Sequence, residues 1–174
     1  MCIRDRILTD HLTTTEAVNI YYLSNPVVEK IKDLWANANI VHQTSVLLES
    51  ILITHRNLSN ENKVFIHAGK NYFDFVWLKK DKLGFFNRFK FHTPEDFIYF
   101  ILFTFDQLGL NPEHAEVVFS GQIDQSMPYY EITWKYVRNI SFASRNNSFD
   151  YSYILEEIAF HQHILLYNAL QCEL

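Results

Sequence analysis

Residues 63–121 constrain the fold more than any other stretch, because the order of elements can be read almost residue by residue. Residues 64–67 (Val-Phe-Ile-His) read as a short apolar strand. Ala68-Gly69-Lys70-Asn71 reads as a turn, where Gly69 can take a positive φ. Residues 72–78 are aromatic and β-branched, a second strand. Lys79-Lys80-Asp81-Lys82 is a hairpin loop, and residues 83–91 are a third strand. Loops this short require antiparallel neighbours. A long helix follows. Thr93 suits its cap and Pro94 its first turn, while Asp96 takes the capping-box slot where Glu or Gln is usual. Glu95 and Asp96 also complement the positive end of the helix dipole. Residues 97–105 are apolar almost all round, the pattern of a helix buried between layers. Gly109 stops it, and Pro112 lies just beyond. Residues 116–120 form a strand that ends in Phe119-Ser120-Gly121.

The flanking segments extend this pattern. Residues 18–23 read as a strand, and 26–37 as a helix with Asn25 as cap and Pro26 in its first turn. Residues 39–42 suggest a short strand. Thr44 or Ser45 is expected to cap the next helix, which frays near Thr54 and His55. Beyond residue 121, Ser126, Pro128 and the spacing of Tyr130, Trp134 and Val137 give a helix. Residues 140–143 suggest a strand, 144–151 a polar loop, and 154–173 a mainly helical tail broken near Ala159 and Phe160. Strand–helix alternation with one meander implies an α/β fold, a mixed sheet flanked by helices.

Composition removes several classes of function. Hydrophobic residues make up 48% of the 174, enough to build a core and too many for a disordered chain. Net charge is −5, and the densest basic cluster (Lys79, Lys80, Lys82) is interrupted by Asp81. A duplex-binding surface needs clustered cations, so no nucleic-acid partner is indicated. Aromatic rings could stack on single strands, but basic interleaving is missing. The apolar run at 97–105 is far short of the roughly 20 residues that cross a bilayer, so no membrane segment is read. Cys2 and Cys172 sit at opposite ends and frame no disulfide set, which fits a reducing cytoplasm.

Met1-Cys2-Ile3-Arg4-Asp5-Arg6 looks like a translated adapter scar of the kind found on metagenomic fragments. On that reading the chain divides into an artefact and partial segment at 1–16, a partial subdomain at 17–60 and a second subdomain at 61–174.

From Asn19 to Leu174 the chain resembles a bacterial domain-of-unknown-function family, number 3822, with an actin-like ATPase (RNase H-like) fold. The resemblance is carried by Val64-Phe65-Ile66-His67, Phe73-Asp74-Phe75, Phe86-Asn87-Arg88-Phe89 running into Thr93-Pro94-Glu95-Asp96-Phe97-Ile98-Tyr99, and Phe119-Ser120-Gly121. It implies one complete C-terminal subdomain plus the back half of the N-terminal one, this chain covering the C-terminal half of the family protein. A looser similarity runs to the actin-like assembly proteins of type IV pili and type II secretion.

The resemblance also says where a nucleotide would sit. Active actin-like ATPases carry an Asp-x-Gly turn whose amides hold phosphate and whose Asp orients metal-bound water. Here the turn is His67-Ala68-Gly69, and a neutral imidazole gives a hydrated Mg²⁺ no anionic oxygen. A Gly-Gly pair after the later strand is replaced by Ser120-Gly121-Gln122. Gly69, Ser120 and Gly121 are therefore the residues of a degenerate nucleotide pocket. No cofactor is expected, ATP with Mg²⁺ being the group such a pocket would take.

Other constellations give less. His161 and His163 are two apart, which on a helix points them to different sides, so no metal site is expected. Ser120 lacks the leading Gly of a nucleophile elbow, and no catalytic residue is assigned. Cys172 has no neighbouring cation to activate it. Asp74 stands alone in a strand of aromatics, and Glu95 and Asp96 are explained by capping. The expected function is a catalytically degenerate actin-like domain, a scaffold or interaction module in the bacterial cytoplasm, with a protein partner or self-association. The alternative is a nucleotide-binding ATPase whose acidic residues lie in a missing N-terminal half. An RNA-processing accessory would need a basic face.

Overall fold

The computed structural model of the chain describes residues 5–56, 62–145 and 152–169. These fall into two compact units, one drawn from Met1–Ile53 with Asn168–Leu174, the other from Thr54–Tyr167.

In the first unit, β1 (Asp5–His11) pairs antiparallel with β2 (Val18–Ser24), Leu8 opposite Tyr21 and Asp10 opposite Asn19. Sequence reading gave no strand before residue 18, because residues 1–16 read as an artefact and partial segment. Period-2 alternation is nevertheless present. Leu8, Asp10, Asn19 and Tyr21 share a covered face, while Ile7, Ile20 and Tyr22 share an exposed one. α1 (Asn25–Leu34) follows at once, with Ser24 rather than Asn25 at its N-cap. It stops three residues earlier than the apolar spacing suggests, because Trp35 has left the helical region at φ −141.

Residues 39–42 form no strand. Side chains take their backbone groups instead: the Tyr21 hydroxyl donates to the Ile40 carbonyl at 2.9 Å, and the His42 N–H donates to Asp10 at 2.8 Å. α2 (Gln43–Thr54) then starts ahead of both expected caps. His42 precedes it and accepts the Thr44 N–H on Nδ1 at 3.1 Å, while the Ser45 hydroxyl donates to Asp10 at 2.6 Å. Asp10 shares the one Tyr21 hydroxyl proton with the Ile40 carbonyl, at 3.1 Å, and burial together with the carboxylate pushes the Tyr21 phenol up to about 12. Glu49, fully buried in α2, accepts from the Thr13 N–H and from the Thr14 N–H and hydroxyl. Both buried carboxylates thus have the partners that burial demands.

The second unit is a five-stranded mixed sheet ordered β5-β4-β3-β6-β7. The strands are β3 (Asn62–Ala68), β4 (Tyr72–Lys79), β5 (Lys82–Lys90), β6 (Glu116–Gly121) and β7 (Asn139–Phe142). The meander β3-β4-β5 is antiparallel, and β6 and β7 run parallel to β3. The hairpin loop is tighter than expected, only Lys80 and Asp81, with Lys80 at φ 60. A bulge between Trp77 and Leu78 shifts the β4–β5 register by one.

α3 (Pro94–Leu108) crosses from β5 to β6. Its capping box is complete: the Thr93 hydroxyl accepts the Asp96 N–H at 3.1 Å, and Asp96 accepts the Thr93 N–H at 3.1 Å. Gly109 ends it in the left-handed region at φ 66. Phe97, Ile101 and Phe105 are buried against Phe73, Phe75 and Phe119 of the sheet, with Phe73 and Phe97 rings 4.7 Å apart. The opposite side of α3 is not buried between layers as its apolar run suggested, since Tyr99 is 60% exposed and Phe103 48%. α4 (Pro128–Trp134) packs beside it, Tyr129 against Phe97. The expected helical tail is shorter pieces: 3-10 turns at Tyr153–Glu157 and Phe160–Gln162, separated at Ile158 and Ala159, then α5 (Ile164–Asn168). Residues 146–151 of the expected polar loop lie outside the described residues. No described helix is long and apolar enough to cross a membrane.

Candidate functional site

Strand alternation decides which side chains meet. In β3, Val64, Ile66 and Ala68 enter the aromatic core, so Phe65 and His67 face the other way. Because β3 and β6 are parallel neighbours, His67 lies opposite Ser120 and Ala68 opposite Gly121. The two motifs singled out in the sequence, 53 residues apart, therefore end side by side at the carboxyl ends of two parallel strands. That edge is where open α/β sheets form ligand crevices.

Four side chains form a row across the face opposite the aromatic core. Ser120 is opposite His67, His67 opposite Asp74, and Asp74 opposite Arg88. His67 Nδ1 and the Ser120 hydroxyl are 3.0 Å apart, both nearly buried. Asp74 is 1% exposed and accepts two bonds from Arg88, Nε to Oδ1 at 2.6 Å and an Nη to Oδ2 at 2.7 Å. This bidentate fork satisfies the buried carboxylate. Burial pushes His67 down to about 4, with Asp74 pulling it up and Arg88 pushing it down, so the ring is neutral at pH 7. The hydrogen bonds that Arg88 donates to Asp74 hold its guanidinium above its ordinary value.

The glycines are explained by close approach within the chain. Gly121 has φ 84, and a Cβ there would lie 2.2 Å from the Ala68 carbonyl oxygen. The same carbonyl accepts the Gln122 N–H at 2.7 Å. Gly69 does not take the positive φ expected of it. Its N–H donates to the Tyr72 carbonyl at 2.8 Å, and a Cβ would meet the Tyr72 ring at 2.6 Å. Tyr72 in turn has the Arg88 guanidinium 4.4 Å above its ring centre. Ring and cation attract in this geometry. Two surface depressions, about 430 Å³ lined in part by Asn111 and His114 and about 570 Å³ lined in part by Tyr130 and Trp134, include none of Gly69, Ser120 and Gly121.

Arg88 and Tyr72 were missed in the sequence. The available signal was the lone Asp74 among aromatics, since a buried carboxylate requires a cation or several donors. His161 is occupied structurally: its Nε2 is 2.8 Å from the Ile123 carbonyl and its ring lies 4.5 Å from that of Phe142. His163 is exposed, and among the described residues no group of His, Cys, Asp and Glu is arranged to hold a metal. Cys2 and Cys172 lie outside the described residues.

Residues 3–140 match the family described as "Protein of unknown function (DUF3822)". The chain belongs to that family. A solved structure from Bacteroides thetaiotaomicron VPI-5482, of a protein with actin-like ATPase fold and unknown function, is similar at a TM-score of 0.79 and 20% sequence identity. The similarity covers 98% of this chain and 60% of that one, so the chain spans about 60% of the length of its solved relative. Comparison with curated proteins gives no match. At 20% identity the likeness establishes fold alone: an α/β fold of the actin-like ATPase kind, as the element order and the family resemblance both implied.

Proposed function

We propose that this chain is a catalytically degenerate actin-like domain that works as a scaffold or protein-interaction module. The observation that carries the reading is His67. Where the resemblance puts a metal-orienting Asp, the chain has a buried neutral imidazole bonded to Ser120. A hydrated Mg²⁺ takes oxygen ligands, preferably anionic. The nearest carboxylate along the row, Asp74, has both oxygens engaged by Arg88. The Gly69 N–H, an amide of the turn that would hold phosphate, is already bonded to Tyr72. The Ala68 carbonyl occupies the space in front of Gly121. On this reading the residues present do not fit ATP with Mg²⁺, and catalysis of phosphoryl transfer, which rests on positioning and electrostatics, loses its parts.

The alternative, a nucleotide-binding ATPase, draws on one observation: Gly69 and Gly121 do converge at the carboxyl ends of β3 and β6. Thermal denaturation with and without ATP and Mg²⁺ decides between the two. A ligand at 100 times its dissociation constant would stabilise by about 2.7 kcal/mol. The expected result is no shift at millimolar nucleotide and no phosphate release. A shift would mean that the pocket binds nucleotide, and phosphate release besides would establish the ATPase reading instead.

A further inference from the structure

Among the described residues β5 is the outer strand of the five-stranded sheet, and its Phe89 stacks on the half-buried Phe100 of α3. An outer strand presents backbone donors and acceptors that another chain can pair with. The ladder bond from the Phe91 N–H to the Asn71 carbonyl makes Asp74 and Arg88 a non-hydrogen-bonded pair by alternation, and the Arg88 N–H donates to the side chain of Asn87 at 3.0 Å. Next to this edge, four rings form a continuous strip. Phe89 of β5 stacks on Phe100 at 5.1 Å, Phe100 meets Tyr99 at 5.3 Å, and Tyr99 stacks on Phe103 at 6.0 Å. The outer two, Tyr99 and Phe103, are about half exposed or more. A contiguous apolar strip beside an open sheet edge is the combination that strand addition uses: main-chain bonds for affinity, alternate side chains on an apolar surface for specificity.

Charge selects the occupant. Lys82 and Lys90 stand exposed at the two ends of β5, with Lys79, Lys80 and one carboxylate, Asp81, exposed at the adjoining turn. A second copy pairing through β5 would bring lysines against lysines, which opposes association. We infer that the β5 edge and the α3 strip form a binding groove for an extended peptide of another protein, with acidic residues at its ends and apolar residues at alternate positions. The peptide adds as a sixth strand. Its apolar side chains lie on Phe89, Phe100, Tyr99 and Phe103, its acids meet Lys82 and Lys90, and its backbone replaces Asn87 at the Arg88 N–H. This rests on the interaction-module reading and names the partner for it.

The test is selection of phage-displayed random decapeptides on the 174-residue chain, followed by fluorescence-polarisation titration of the selected peptides. Acid-flanked, alternating apolar sequences are expected. The exposed-residue doubles Lys82→Glu/Lys90→Glu and Tyr99→Ser/Phe103→Ser should each weaken binding by roughly tenfold or more with an unchanged melting temperature. Hydrogen exchange at the Phe86 and Arg88 amides should slow when peptide binds. Selection without that pattern, binding indifferent to both doubles, or light scattering that shows copies associating through β5 would overturn the proposal. Those failures leave the interaction-module reading standing, whereas nucleotide turnover would remove that reading without touching peptide binding.

Discussion

The two faces of the five-stranded sheet are built from the same strands by alternate residues, yet they are held by different physics. One face is closed by rings: Phe73, Phe75 and Phe119 meet Phe97 and Phe105 of α3. The other carries the row Ser120, His67, Asp74 and Arg88. The aromatic face gains from area removed from water, a term that is non-directional and tolerant of detail. The polar face gains only if each donor finds its acceptor, and a single missing partner leaves a buried group uncompensated. A fold can therefore keep its aromatic face while the chemistry of the polar face drifts, provided the polar groups still satisfy one another.

Four experiments test that contrast. Phe73→Ala, at a fully buried ring, should cost about 4 kcal/mol in urea denaturation. On the polar face, Arg88→Met strands Asp74 and should cost about 3 kcal/mol, while Asp74→Leu/Arg88→Met recovers most of it. If the double variant is no better than the single, the pair holds the face by more than mutual compensation. Gly121→Ala should cost about 3 kcal/mol, because it combines a positive φ with a collision at the Ala68 carbonyl. Gly109→Ala, also at positive φ but with open space around the new methyl, should cost about 1 kcal/mol; equal losses would mean the strand ends relax freely.

The last test concerns pH. His67 has a folded pKa near 4, below the 6.5 of an exposed imidazole, so its contribution is complete above pH 6.5 and is lost as pH falls toward 4. The loss by pH 5 should be about 2 kcal/mol. His55, lowered to about 4 by burial and by Lys63, titrates in the same window. His67→Gln should flatten part of the slope, and Phe73→Ala should leave the slope unchanged. An unaltered profile in His67→Gln would place the acid sensitivity elsewhere.

How much of this was legible in the sequence depended on range. α3 could be read because its cap, first turn and stop lie within the helix itself: Thr93, Pro94, Asp96 and Gly109 each act on neighbours a few residues away. The strands of the second unit could be read for the same reason, whereas the proximity of His67 and Ser120 came only from the family resemblance. Arg88 could not be paired with Asp74. Counting back from the hairpin turn puts Asn87 opposite Asp74, and only the bulge at Trp77 and Leu78 moves Arg88 into place. Residues 39–42 failed similarly, since Asp10 and Tyr21, which hold that segment, come from strands far upstream. The exposed face of α3 was misjudged because an apolar run shows periodicity but not what covers it.

The ion pair between Asp74 and Arg88 also bears on how the turn at residue 67 can change over generations. A histidine codon is one base from an aspartate codon, so the substitution is always within mutational reach. An aspartate at 67 would stand directly opposite Asp74, giving one guanidinium two carboxylates to serve. Such a variant would be less stable than the chain with histidine there. An aspartate at 67 is thus tolerable only once the carboxylate at 74 has been replaced.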